Sequence, residues 1–202
     1  MTYVCLVRHG ETEWNVQRRI QGTTETELTL KGYNQAYEIA LFLKKKQWDH
    51  IITSPLKRAV QTAEIIAEEL KISDIKVWPE FQEREYGQAT GMYLDEYTKC
   101  LENQLEIKDW ENDALLGNRV LKGLEKILQL YSKKRIIVIS HGVPIMGIME
   151  YIMKKPFKED IFYLKNGSVS SIYYESQKWN IEHFNLTNFL IYKSKHHLNE
   201  ST

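Results

Sequence analysis

Short apolar runs that break off into polar residues recur along the chain. Residues 3–7 (Tyr-Val-Cys-Leu-Val) end in Arg8-His9-Gly10. Residues 50–54 form a second short run, residues 76–78 a third, and residues 135–139 the strongest. That last run is nearly all β-branched and ends in Ser140-His141-Gly142. A continuous run of this kind belongs at the centre of a parallel sheet. Residues 169–174 and 179–184 alternate instead, and the short link 175–178 between them predicts an antiparallel hairpin.

Helical periods fill the intervals. Residues 30–46 carry apolar or small groups at Tyr33, Ala36, Tyr37, Ala40 and Leu41, with Thr29 as N-cap. Residues 56–70 do the same through Ala59, Val60, Ala63, Ile66 and Ala67, with Ser54 as cap and Pro55 at a first-turn position. Residues 92–117 read as polar and mostly helical. Residues 118–131 read as a clear amphipathic helix, and Pro144 opens a helix that runs to residue 153. The order predicts one α/β domain over 1–202. It has three layers, α/β/α, around a mixed, mainly parallel sheet. Segment 88–118 is expected to be a helical lid, and 194–202 a frayed tail.

Composition narrows the class. The 202 residues hold 27 Lys plus Arg against 27 Asp plus Glu, so the broad basic excess of a nucleic-acid binder is missing. The two cysteines, Cys5 and Cys100, are too far apart for a disulfide framework or a zinc site. No apolar stretch reaches the ~18 residues of a membrane span, and the first strand begins without a signal-peptide pattern. The expectation is a cytoplasmic protein, monomer or homodimer, with no nucleic-acid or membrane partner. The Asn-x-Ser/Thr triplets at Asn166, Asn185 and Asn199 are then chance matches.

Three strand ends carry the candidate chemistry: Arg8-His9-Gly10, Ser54 running to Arg58, and Ser140-His141-Gly142. If these strands are parallel, the ends open on one edge of the sheet, where α/β folds bind ligands. Arg58 in a first helical turn is disfavoured, unless an anion bound at that helix terminus removes the conflict. The alternative is an Arg pointing to solvent. Two imidazoles with arginines beside them make a poor metal site, since the guanidiniums repel a cation. The same set suits a phosphate dianion, which Arg grips in a bidentate manner. The long loop 11–29 adds Asn15, Gln21 and Gly22 as anion donors, although Asn15 could equally cap a turn.

Residues 6–15, Leu-Val-Arg-His-Gly-Glu-Thr-Glu-Trp-Asn, resemble the signature of the histidine phosphatase superfamily, the phosphoglycerate mutase-like proteins. The resemblance continues in order through Gln21-Gly22, Leu28-Thr29, Gly32, Gln35-Ala36, residues 54–59, residues 61–63, residues 83–87 and residues 138–142. It implies that His9 attacks phosphorus and becomes a phosphohistidine. Arg8, Arg58 and His141 would bind the phosphoryl oxygens, supported by Asn15, Gln21, Gly22 and the Gly142 amide. Glu83 would be the general acid and then the base, ahead of Glu11 and Glu85, which do not match the family position. No metal and no cofactor are implied, and the substrate is a small-molecule phosphomonoester.

Family members divide between mutases and phosphatases. The mutases carry a long, basic insertion between the acid and the second His. Here the interval 84–140 is short and its first half is acidic, with Asp95, Glu96, Glu102, Glu106, Asp109, Glu111 and Asp113 against Lys99 and Lys108. That predicts hydrolysis of a monophosphate. The alternatives are a cofactor-dependent phosphoglycerate mutase and a non-catalytic relative that binds phosphate or a protein. The chain departs from the relatives' Pro-Gly-Gly-Glu-Ser segment, with Asp113-Ala114-Leu115-Leu116-Gly117-Asn118-Arg119 there instead. Tyr86, Tyr93 and Trp110 are expected either to line a broad pocket or to belong to the core.

Overall fold

In a computed structural model that describes residues 1–155 and 164–187, the leading apolar run is strand β1 (Thr2–Arg8). It pairs in parallel with β4 (Arg135–Ser140), Leu6 facing Val138, and β4 pairs in parallel with β2 (His50–Thr53). The short edge strand β3 (Ile75–Val77) extends the parallel set. On the other side of β1, β5 (Val169–Glu175) and β6 (Lys178–Leu186) add the antiparallel hairpin. The sheet order is β3-β2-β4-β1-β5-β6, with β4, apolar from Ile136 to Ile139, in the interior as the alternation-free run requires.

Successive strand residues point to opposite faces, so each face gains its own core. Val4, Leu6, Ile52, Ile136 and Val138 pack beneath α5 (Asp113–Leu130) and α6 (Gly142–Met153). Cys5, Val7, Ile51, Ile137 and Ile139 pack against α2 (Leu30–Leu43) and α3 (Lys57–Leu70). The result is the expected three-layer α/β/α fold.

Several boundaries differ from the sequence expectation, each for a local reason. Helix α2 stops at Leu43, short of residue 46. Helix α3 begins at Lys57, and neither Ser54 nor Pro55 starts it. Its N-cap position is Leu56, without a side-chain cap, and the Lys57 amide donates instead to the Glu25 carboxylate at 2.8 Å. Residues 92–117 are less helical than expected: α4 (Leu94–Glu102) is followed by irregular chain to residue 112. There Asn112 caps α5 by accepting the Leu115 amide at 2.9 Å, so α5 starts at Asp113 rather than 118. Helix α6 begins at Gly142, ahead of Pro144. The 194–202 tail lies outside the described residues.

The turn after β1 runs hard against the start of α2. A Cβ on Gly10 would lie 2.4 Å from the Gly32 carbonyl oxygen, and one on Gly32 would lie 2.2 Å from the Glu11 carbonyl oxygen. Both contacts are backbone to backbone, so any side chain there would force the Arg8-His9-Gly10 turn to move.

Candidate active site

Because β1, β2 and β4 are parallel, their C-terminal ends share one edge. Register places Arg8 beside Ser140 and Thr53 beside Ile139. The next residue after β1 is His9 and the next after β4 is His141. Their ring centroids are 5.1 Å apart, and both are buried.

The neighbours of His9 fix its protonation. Its Nδ1 lies 2.7 Å from the Gly10 carbonyl, which can only accept, so Nδ1 carries the hydrogen. Its Nε2 accepts from Arg58 Nε at 3.2 Å, so Nε2 holds the lone pair. Burial, then the charges of Arg58 and Arg8, hold the His9 pKa well below its ordinary 6.5. His9 is thus a neutral imidazole with its basic nitrogen turned toward a guanidinium. Its backbone is pinned as well: the amide donates to Ser140 O, and the carbonyl accepts the Gly167 amide at 3.1 Å and Asn166 Nδ2 at 3.4 Å.

Arg58 is fully buried. Its remaining nitrogens donate to Gly22 O at 2.8 Å and Thr24 O at 2.9 Å. Burial lowers its pKa to about 10, with Glu83 and Glu25 acting the other way, so the charge survives at neutral pH. The first-turn arginine therefore turns inward. The anion at the α3 terminus is different from the one expected: the Glu25 carboxylate takes the Lys57 amide. Thr62, four residues on, accepts the Gly10 amide at 3.1 Å and donates back to Arg58 O, tying α3 to the His9 turn. Arg8 donates to the Leu164 carbonyl.

His141 places Nε2 2.7 Å from Ser54 Oγ, and its buried Nδ1 has no hydrogen-bond partner among the described residues. Desolvation, then Arg58, His9 and Arg8, hold its pKa well below 6.5. Gly142 opens α6 beside Arg8, and a Cβ there would lie 3.8 Å from the Arg8 guanidinium carbon.

Glu83 follows the turn Pro79–Phe81. One carboxylate oxygen accepts the Arg84 amide at 2.8 Å. Desolvation raises its pKa above the ordinary 4.5, against the lowering effect of that amide and of Arg58, Arg8 and Arg84. Glu11 and Glu85 are engaged elsewhere. Glu11 is paired with Lys31 at 2.7 Å, and Glu85 accepts Thr23 Oγ1 at 2.5 Å and the Gly87 amide at 3.1 Å.

The loop residues stand at one remove. Asn15 does cap a turn: its Oδ1 accepts the Thr12 amide at 3.1 Å in a capping box, and also Asn166 Nδ2 at 2.9 Å. Gln21 Oε1 accepts the hydroxyls of Thr12 and Thr26 at 3.0 and 2.7 Å. Gly22, at φ +52°, supports Arg58 through its carbonyl. Sequence reasoning gave Thr62, Glu25 and Asn166 no individual role in the site. Of the aromatics, Tyr86 packs edge-on against Tyr97 at 5.6 Å, Arg19 lies over Tyr93 at 4.7 Å, and Arg84 lies over Trp110 at 5.4 Å.

No group of three or more His, Cys, Asp or Glu is placed to hold a metal ion among the described residues. The charge that is present is cationic, and it converges beside a nitrogen lone pair. Fold and site together define the class: an α/β protein that gathers two buried imidazoles and a buried guanidinium at one edge of its sheet. The chain matches the model of the histidine phosphatase superfamily (branch 1) over residues 4–187. It is 39% identical over 190 residues to a protein of Bacillus subtilis (strain 168) named as an uncharacterised phosphatase PhoE, covering 94% of this chain and 97% of that one. It is 35% identical over 190 residues to a probable phosphoglycerate mutase GpmB of Escherichia fergusonii, covering 89% and 88%. A phosphoserine phosphatase mutant of Entamoeba histolytica in complex with phosphoserine superposes with a TM-score of 0.82 at 28% identity, covering 94% and 100%. A phosphoglycerate mutase of Bacillus anthracis superposes at 0.85 with 20% identity, covering 94% and 95%, a likeness of fold alone. This chain belongs to the histidine phosphatase superfamily.

Proposed function

We propose that this phosphatase hydrolyses small-metabolite phosphomonoesters in the cytoplasm, without a metal ion, through a phosphohistidine on His9. The observation that carries the reading is the His9 tautomer. A lone pair on Nε2, with Nδ1–H donating to Gly10 O, is the form that attacks phosphorus and then tolerates the positive ring it becomes.

In the first step the Nε2–P bond forms and the ester P–O bond breaks. Glu83 gives its proton to the departing oxygen, and its raised pKa favours the protonated form that this needs. Arg58 Nε, which now donates to Nε2, transfers its hydrogen bond to a phosphoryl oxygen as the ring engages phosphorus. Arg8 and His141 take the other oxygens, where the transition-state charge resides. In the second step water attacks phosphorus, Glu83 accepts its proton, and the N–P bond breaks to release phosphate and neutral His9. Asn15, Gln21, Gly22 and Gly142 support this constellation, and 88–118 covers the leaving group.

Chemical quench with labelled substrate tests the reading. An acid-labile, base-stable phosphoryl label should accumulate on the wild-type chain, vanish in His9→Ala and be indifferent to EDTA. A metal requirement or a label on another residue overturns it. A mutase reading draws on the names of relatives such as GpmB. Fast conversion of 3-phosphoglycerate to 2-phosphoglycerate with a trace of 2,3-bisphosphoglycerate would establish it. The acidic residues of 95–113 disfavour a second phosphate by like-charge repulsion.

A further inference from the structure

The segment that carries Glu83 is gripped from helix α5. Arg119, on α5, donates to the backbone carbonyls of Glu80 at 3.0 Å and Gln82 at 2.9 Å, and more weakly to Pro79 at 3.4 Å. Its other two nitrogens make a bidentate pair with Glu111, at 2.8 and 2.7 Å. The Glu111 amide in turn donates to the Glu85 carbonyl at 2.7 Å. The chain is therefore held just before Glu83, at Gln82, and just after it, at Glu85, by two residues that are themselves locked together. The carbonyl left out, Phe81 O, accepts Ser140 Oγ at 2.7 Å from the end of β4, next to His141. Gly123 lets α5 approach this closely, since a Cβ there would lie 2.8 Å from the Phe81 ring and 3.1 Å from Glu80 Cβ.

We propose that the Arg119–Glu111 pair is a positioning device for the proton-transfer step, setting the reach of Glu83 to the leaving oxygen. A lysine could not replace the arginine. It offers a point charge, whereas the planar fork here spans one carboxylate and three carbonyls. Both partners are mostly buried, with side chains 18% and 14% exposed, so breaking the pair leaves an uncompensated charge beside the loop. A displacement of about 1 Å in a catalytic group costs on the order of 10² in rate.

The inference rests on Glu83 as the acid, and the leaving group separates it from a merely structural role. p-Nitrophenolate departs without a proton, whereas an alkoxide does not. Arg119→Lys and Glu111→Gln should each lose about tenfold or more kcat/KM on β-glycerophosphate beyond any loss on p-nitrophenyl phosphate. Vanadate affinity should hold, and Glu83→Gln should show the same selectivity in stronger form. Either variant that stays folded suffices. Equal losses on both esters in the pair variants, with Glu83→Gln still selective, overturn the positioning role alone. An unselective Glu83→Gln overturns the assignment of Glu83 itself.

Discussion

Arg58 Nε donates to the lone pair of His9 Nε2 across 3.2 Å, so the proposed nucleophile is held by the group proposed to hold its target next. With the Nδ1 bond to Gly10 O, this bond fixes the tautomer and keeps a proton off Nε2. Protonating His9 would cost the bond and set two cations face to face.

The two buried imidazoles should therefore lower folding stability as the solution is acidified, offset in part by Glu83, whose raised pKa acts the other way. In the unfolded chain both imidazoles take up a proton near 6.5, while burial and the arginines keep His9 and His141 neutral in the folded protein. Below about pH 6.5 the unfolded state binds more protons. Each ring then removes up to about 1.4 kcal/mol of stability per pH unit, until its lowered folded pKa is reached. Urea denaturation at pH 7.5, 6 and 5 should show this slope, and His141→Gln should remove close to half of it. An unchanged slope in that variant would contradict the neutral assignment.

Arg58→Lys should be poorly tolerated in activity. The lysine cannot donate at once to His9, Gly22 O and Thr24 O and still meet a phosphoryl oxygen. The expected loss is about 10²–10³ in kcat, with vanadate binding weakened in parallel. Steady-state kinetics and vanadate inhibition measure both.

Asn166 supplies one amide to Asn15 Oδ1 and to His9 O. Asn166→Ala should weaken phosphate binding by roughly fivefold, the worth of about 1 kcal/mol of hydrogen bonding. Asn166→Asp should do worse, because it sets a carboxylate against two acceptor oxygens. Product inhibition by inorganic phosphate reads the order, and a reversed order would remove Asn166 from the site's support.

The raised pKa of Glu83 has a kinetic signature. For an alkyl phosphate, kcat/KM should fall on the alkaline side as Glu83 loses its proton, at a pH above the ordinary 4.5 of a glutamate. Glu83→Gln should abolish that limb along with most of the activity. A limb that persists unchanged in Glu83→Gln belongs to another group.

The strand ends were legible because sequence pattern and chemistry change at the same residue. In β1 and β4 an apolar run stops at a polar residue, Arg8 or Ser140, followed by His-Gly, and no long-range knowledge is needed to see it. The inward turn of Arg58 was legible only as a conflict. Its resolution comes from Glu25 and Thr24, more than thirty residues earlier in the chain, which no local period reveals. Asn166 escaped for the same reason: its partners, His9 and Asn15, lie about 150 residues away. The polar stretch 92–117 misled in a different way. Charged residues with good helix propensity also serve in irregular chain when tertiary bonds hold it, as the Glu111 amide and carboxylate do here. The departure from the Pro-Gly-Gly-Glu-Ser segment likewise gave no sign that Arg119 has a mostly buried partner in Glu111.

The pairing of Leu6 with Val138 has a consequence for how this protein can be made or broken. Residues 9, 58 and 141 meet only after the first strand has been joined by one synthesised more than a hundred residues later. A nascent or clipped chain that lacks β4 would own His9 yet lack the second imidazole and the central rail of the sheet. Turnover is thus a report on completed assembly, and partial unfolding at either rail should silence the molecule before its helices melt.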